Sequence, residues 1–454
     1  MLDSPITLLP PILAIIIAVW RRNALFALFC GVILCCLIAA GGNPIETLRL
    51  TFTYFLGVFS SLGNIYIVSF ALLIGALVAL FNSSGAVNGF IKHLSDMKLV
   101  SSSRQARLLP TVIGTSIFTD TNLSMFTSGM ASQKVFDQHK ISRAKLAYLL
   151  DSTCAPISIL FLVNGWGAYV LGLLDGYELS DPVGVLIGTI TYNAYAIIAV
   201  LLAYFTAYTG KAYGPMKSAK SLVPNIENTE TTIHKVAPAK VMWIPLICLL
   251  VFTFTLLWIT GDGDIRRGSG SFSVFWSIVS SLVILILLIL GHRLLSAKQV
   301  ITDSISGIKS MIIPVAILVL SFAFGDAIKA LGTGQYVSQL LNVEVPMFLM
   351  APILFIAAGI MAFSTGTSWG TFAILIPIAV PIAQQSGLPV EFLVAAVLGG
   401  AIFGDHASPI SDTTVVASIA SGCDHFEHVR TQLPYALFAA VLSLVFYMVV
   451  GLQF

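Results

Sequence analysis

The stretch FGDHASPISDTT, residues 403–414, gathers two aspartates, a histidine and four hydroxyls within twelve residues of a chain in which only 10% of residues are charged. A charged carboxylate inside a bilayer is costly unless it is paired or ligating, so Asp405 and Asp412 are candidates for holding a cation or a proton. Seven residues apart, they would share one face of a continuous helix, two turns from each other. A break at Pro409 would let both point into one cavity. Ser408, Ser411 and Thr413 add neutral oxygens of the kind a hard cation accepts. His406 is a candidate gate for protonation, with a bond to a hydroxyl or to backbone as the alternative.

Two further stretches have the same character. TDTN, 119–122, offers Thr119, Asp120, Thr121 and Asn122; STGTSWG, 364–370, offers Thr365, Thr367 and Ser368 among glycines that let the backbone turn. Hydroxyl, amide and carboxylate oxygens there, with helix N-termini beside them, would suit a cation site. Ser and Thr can instead bond back to helix carbonyls, as they often do in membrane helices. In DSTCAPIS, 151–158, Asp151 and Ser158 stand around a proline that frees a backbone carbonyl. Pairing of Asp151 with Lys145, or a capping role, is the alternative for that carboxylate. Asp326 has no equivalent elsewhere in the sequence.

The elements that must position these residues are membrane helices. The chain has 454 residues, 57% of them apolar, and a mean hydropathy of +0.94. Apolar runs long enough to cross a bilayer, which takes about 20 helical residues, lie near 5–20, 22–41, 64–82, 146–172, 183–209, 241–260, 272–291, 310–331 and 432–452. The stretches 105–138, 345–385 and 389–421 are apolar but interrupted, and interruptions at membrane depth are where function sits. The first run follows Asp3 without a basic n-region and reads as a retained helix. Six cysteines lack the paired spacing of a zinc or redox site, so no cofactor and no transition metal are expected. A net charge of +2 is too small to suggest a nucleic-acid partner.

With 105–138 and 345–385 threaded as re-entrant hairpins and 389–421 as one crossing, 19 of the 23 basic residues fall on one side and 4 on the other. By the positive-inside rule the 19 are cytoplasmic, and both termini face outward. The polar, Pro- and Gly-broken segment 210–240 reads as a cytoplasmic linker between halves 1–209 and 241–454. The halves repeat: SSG (83–85) with GTG (332–334), TDTNLSMF (119–126) with TGTSWGTF (365–372), DSTCAPIS (151–158) with GDHASPIS (404–411). The expected fold is an all-α polytopic membrane protein with two inverted repeats, re-entrant hairpins and broken transmembrane helices.

At GDHASPISDTT (404–414), GTSWGTF (366–372), KISRAKLAYLLDSTCAPIS (140–158) and NGWGAY (164–169), the sequence resembles the NhaC family of sodium/proton antiporters, across most of the chain. The resemblance matches Asp405, Ser408, Ser411, Asp412 and Thr413 to the C-terminal motif, and Thr365, Thr367 and Ser368 to the second tip. TDTN departs from the family pattern. The resemblance implies cation-coupled transport, an elevator-like scaffold and transport domain, a homodimer, and a place in the bacterial inner (plasma) membrane.

Sodium/proton exchange follows as the expected function, with Na+ and H+ as the species carried and the lipid bilayer as surroundings. A sodium- or proton-coupled carrier of a small organic acid or amino acid is the alternative, since hydroxyl-rich tips and helix N-termini also suit a carboxylate. An enzyme is not expected. GTSWG, 366–370, fits G-x-S-x-G but lies in an apolar helical stretch without the strand-to-helix turn of that motif.

Overall fold

Asparagine, serine, aspartate and proline set many of the helix starts. Asn43 accepts from the N–H groups of Ile45 and Glu46 with Pro44 in the first turn, and Asp181 accepts from Gly184 with Pro182 behind it. Ser61 accepts from Asn64 and Ser142 from Lys145 in the same way. The computed structural model describes residues 5–21, 23–96, 100–161, 163–177, 179–219, 236–333, 336 and 346–454. Of the features read from sequence, Arg22, Lys98, Gly334 and residues 220–235 of the linker lie outside the described residues.

The helices of the first half are α1 (Leu9–Arg21), α2 (Ala24–Ala39), α3 (Pro44–Val58), α4 (Leu62–Ser83), α5 (Ala86–Asp96), α6 (Ser103–Ser116), α7 (Thr121–Gln138), α8 (Arg143–Leu160), α9 (Gly165–Asp175), α10 (Pro182–Tyr192) and α11 (Ala194–Thr209). Those of the second are α12 (Lys240–Thr260), α13 (Gly270–Gly291), α14 (Ala297–Ser310), α15 (Ile312–Leu331), α16 (Met350–Thr365), α17 (Ser368–Ser386), α18 (Val390–Ala407), α19 (Asp412–Ser421) and α20 (His425–Gly451). Among the described residues there is no strand, and nine segments are long and apolar enough to cross a membrane. The protein is an all-helical, multi-pass membrane protein. Its outward faces carry large apolar side chains, as at Trp20, Leu62, Trp258 and Phe438, while hydroxyls inside it bond back to their own helix, as Ser277 does to Ser273 O.

Two expectations change, and three further helices had not been named from the sequence. The run 146–172 is two helices, α8 and α9, because Asn164 caps the start of the second: its Oδ1 accepts from the N–H groups of Trp166 and Gly167, both at 2.9 Å. The run 183–209 is likewise two helices, since Asn193 caps α11 directly after α10. The helices α3, α5 and α14 were not read as spans, their apolar content being diluted by charged or hydroxyl residues.

The packing follows a pattern that repeats between halves. Helices α6 and α7 both pack on α8, and α16 and α17 both pack on α18. Beyond its break, α9 packs on α17, and beyond its break, α19 packs on α7. Small residues make these contacts close: Gly404 of α18 lies against the Gly359 carbonyl of α16, and Gly129 of α7 against the Ala420 carbonyl of α19, with no room for a Cβ at either.

Candidate functional site

Two helix pairs leave short non-helical tips, 117–120 between α6 and α7 and Gly366–Thr367 between α16 and α17, and two breaks lie between the end of α8 at Leu160 and the start of α9 at Gly165 and between the end of α18 at Ala407 and the start of α19 at Asp412. Gly366, at φ +70°, takes the left-handed conformation that closes the second tip. Each tip is bonded to an interruption. At the first, the Asn164 Nδ2 donates to Phe118 O at 2.9 Å and Ser158 O at 2.6 Å, and Thr121 Oγ1 donates to Ser158 Oγ at 3.0 Å. At the second, Ser408 Oγ donates to Phe363 O at 2.7 Å and the Asp412 N–H to Gly366 O at 3.4 Å.

Asp405, in the last turn of α18, is 1% exposed. Its Oδ2 accepts from the Ser368 N–H at 3.1 Å and also from the Ser368 hydroxyl. Ser368 is the first residue of α17, so the carboxylate sits at a helix N-terminus, where backbone donors and the helix dipole favour negative charge. Asp405 Oδ1 is buried and has no hydrogen-bond partner. That leaves one oxygen for a cation or a proton.

Asp412 opens α19 and is exposed, its Oδ1 accepting from the Thr413 N–H at 2.9 Å. The break expected at Pro409 is present between Ala407 and Asp412 and turns Asp412 off the α18 face, so Asp405 is buried and Asp412 exposed. The two still interact electrostatically, and Asp412 also interacts with Asp120 and Asp151. Ser411 and Thr413 place their hydroxyls 3.1 Å apart beside Asp412. Asp120 caps α7, accepting from Leu123 N–H at 2.7 Å; the capping role gives it a structural task as well. Thr119 Oγ1 is buried and unpartnered. Asn122 is exposed, and Thr365 turns its hydroxyl back to Met361 O at 2.9 Å, while Thr367 caps α17 without a side-chain bond.

Asp151 does not meet Lys145, whose Nζ donates to Gly210 O at 3.1 Å. Instead Asp151, wholly buried, accepts at Oδ2 from Gln432 Nε2 at 2.6 Å and from Thr414 Oγ1 at 3.3 Å. Thr414 Oγ1 also lies 3.0 Å from Asp405 O, so the first half's aspartate is one hydroxyl away from the second half's site. His406 Nε2 stands 3.9 Å from Asp151 Oδ1, and its Nδ1 is 3.0 Å from the Tyr195 hydroxyl. Tyr195, His428 and Gln432 were not found from sequence, and Asn164 entered only as part of the motif NGWGAY. Only Asn164 carried a signal, an amide inside an apolar run.

Over residues 147–452 the chain matches the Na+/H+ antiporter family. It is 34% identical to a Haemophilus influenzae protein described as uncharacterized, over 99% of this chain and 91% of that one. It is also 34% identical to the Bacillus subtilis malate-2H(+)/Na(+)-lactate antiporter, over 40% of each. Among solved structures, that of Neisseria gonorrhoeae MtrF superposes with a TM-score of 0.60 at 13% identity, covering 91% of this chain and 85% of that one.

Proposed function

The chain belongs to the Na+/H+ antiporter family, and from that premise, which makes it a secondary antiporter, we propose that it exchanges cytoplasmic Na+ for H+ by alternating access. The observation that carries this reading is Asp405: a buried carboxylate with Oδ2 held by both donors of Ser368 and Oδ1 free. Sodium and a proton need the same oxygen, so binding one requires release of the other, and competition alone enforces exchange. Asp412 shares the negative field and supplies the accessible carboxylate, with Ser408, Ser411 and Thr413 as neutral oxygens. Asp120 and the 119–122 tip extend the site into the first half.

The matched packing of α6–α7 on α8 and of α16–α17 on α18, with α9 and α19 each crossing to the other half's tip, supports an inverted repeat with two re-entrant hairpins. The basic asymmetry supports a cytoplasmic 210–240 linker and both termini outside a bacterial inner membrane. Elevator-like movement and a homodimer complete the proposal on the family resemblance.

A second reading, a sodium- or proton-coupled carrier of a small carboxylate or amino acid, is favoured by the identity to the malate-2H(+)/Na(+)-lactate antiporter. Proteoliposome flux decides between them. Sodium-driven proton movement with no organic solute present is the expected result. Movement that starts only when one of a panel of acids or amino acids is added would replace the first reading with the second.

A further inference from the structure

Asp326, the carboxylate of α15 with no equivalent elsewhere in the sequence, stands at the mouth of a cavity between α4, α9, α15 and α17. The cavity lies toward the ends of α9 and α15 that the proposed orientation places outside. Asn64 of α4, Tyr177 just beyond α9, Ser321 and Gly325 of α15 and Pro377 of α17 bound it, and its volume is about 30 Å³. A single water takes about 10–15 Å³ of such space, so two water-sized bodies fit and an organic solute does not.

The polar groups around this space are mostly acceptors. Asn64 spends its amide nitrogen on Val58 O at 3.0 Å, so Oδ1 is the atom it has left to offer. Ser321 Oγ gives its one hydrogen to Ile317 O at 2.6 Å and keeps lone pairs for other neighbours. Asp326 adds a negative charge, exposed at the mouth. Tyr177 is 8% exposed, and its buried hydroxyl has no hydrogen-bond partner. That hydroxyl faces Gly325, where a Cβ would lie 3.7 Å from it and 3.9 Å from Pro377 Cγ.

A buried hydroxyl left unpaired is costly, and the Tyr177 hydroxyl calls for an occupant. A cation takes its lone pair, and a water held by that cation accepts its hydrogen. An anion would instead meet the Asp326 charge, within whose field Tyr177 and Tyr54 of α3 both lie. Lys329, exposed one turn further on, acts on Asp326 through space and stands outside the lining. Asp175, next to Gly176, bonds Ser271. We propose that this cavity is a second site for a monovalent inorganic cation, separate from Asp405, at which sodium stands on its way to the outside; the identity of the ion rests on the antiport reading above.

The cavity is joined to the second tip through side chains. Tyr169 of α9 lies with its hydroxyl 3.2 Å from Ser321 Oγ and donates to Trp369 O at 3.0 Å. Trp369 follows Ser368, whose two donors hold Asp405. Nine residues of α17 separate Pro377 from Ser368, about 13 Å of helix. An ion leaving Asp405 toward the outside thus finds a carboxylate and neutral oxygens on the outer half of the same helix that opens at the tip.

Binding and transport test the site separately. Radioactive sodium binding to purified protein, read by scintillation proximity, should give two ions per chain in the wild type and one in Asp326→Asn. Asp405→Asn should also bind one, at the cavity. Gly325→Ala keeps the carboxylate, suits a helix better than glycine and places a methyl group in the space; it too should bind one, and it carries the test if Asp326→Asn does not fold. In proteoliposomes, sodium counterflow at equal pH on both sides should slow about tenfold in Asp326→Asn, as expected for loss of an interaction with a charged group. Two ions retained in both cavity variants would overturn the proposal, as would a single wild-type ion that Asp405→Asn abolishes, since water alone then fills the cavity. Counterflow unchanged in both variants would overturn it as well. A single wild-type ion that Asp326→Asn removes and Asp405→Asn keeps would defeat the antiport reading at Asp405 and leave the cavity site standing.

Discussion

Ser368 donates both its backbone N–H and its hydroxyl to one oxygen of Asp405, across 37 residues of sequence. This contact joins the first turn of α17 to the last turn of α18, so the carboxylate we propose as the ion site also ties the second tip to α18. On that proposal, an ion or proton arriving at Asp405 acts on the tip as well as on the charge.

Removing the hydroxyl separates these roles. Ser368→Ala keeps the N–H donor at 3.1 Å and should weaken apparent sodium affinity by about tenfold, in line with loss of about 1.5 kcal/mol from a hydrogen bond to a charged group. Flux kinetics in proteoliposomes check this; wild-type affinity would mean that the backbone donor alone sets the carboxylate.

Replacing the carboxylates tests the exchange itself. In the wild type, protons leave the site as pH rises, so apparent sodium affinity should rise with pH and then flatten. Asp405→Asn keeps an oxygen but removes the proton competitor, so sodium-dependent proton flux should stop and affinity should lose most of its pH dependence. Asp412→Asn, at an exposed position, should weaken affinity through the lost field. Wild-type pH profiles in both variants would make the 403–414 stretch structural.

Arg143 ties two elements together. It forms an ion pair with Asp137 at 2.6 Å and donates from its other terminal nitrogen to Ser421 O at 2.6 Å, with its side chain only 13% exposed. Arg143→Ala should cost about 2 kcal/mol or more by stranding both partners. The thermal midpoint in detergent should fall by several degrees, and an unchanged midpoint would show that water replaces the guanidinium.

Close packing of α16 on α18 makes a second stability test. A side chain at Gly404 would run into the Gly359 carbonyl, so Gly404→Val should destabilise by about 1–3 kcal/mol. Thermal unfolding with wild-type behaviour would mean that the two helices separate without cost.

The orientation is tested by labelling. Cysteines placed at Ser218 and Ser269, with the six native cysteines replaced, should react from opposite sides of the membrane. Reaction from one side would end the inverted-repeat proposal.

Much of the helical framework was legible because burial in lipid demands long apolar runs and closed backbone hydrogen bonding. Leu62–Ser83, Lys240–Thr260 and Gly270–Gly291 fall within two residues or so of the apolar runs that announced them. The interruption at 408–411 was legible for the same reason, since a proline among polar residues cannot continue a helix in lipid. The interruption between α8 and α9 was hidden, because the local sign was one amide; what breaks that helix is a set of bonds from Asn164 to the carbonyls of Phe118, Ser158 and Phe161.

By itself the sequence determined which residues could bear charge in a membrane, through composition and local pattern: Asp405 and Asp412 stood out because little else in their surroundings was polar. Which of these charges meet was decided only by tertiary structure. Asp151 and Gln432 are 281 residues apart and 2.6 Å from each other, and no periodicity or spacing encodes such a contact. It exists because α8, α18, α19 and α20 pack together, and packing depends on the shapes of all four helices at once. The same packing buries Asp405 and leaves Asp412 exposed, a difference that two aspartates seven residues apart on one motif gave no means to foresee.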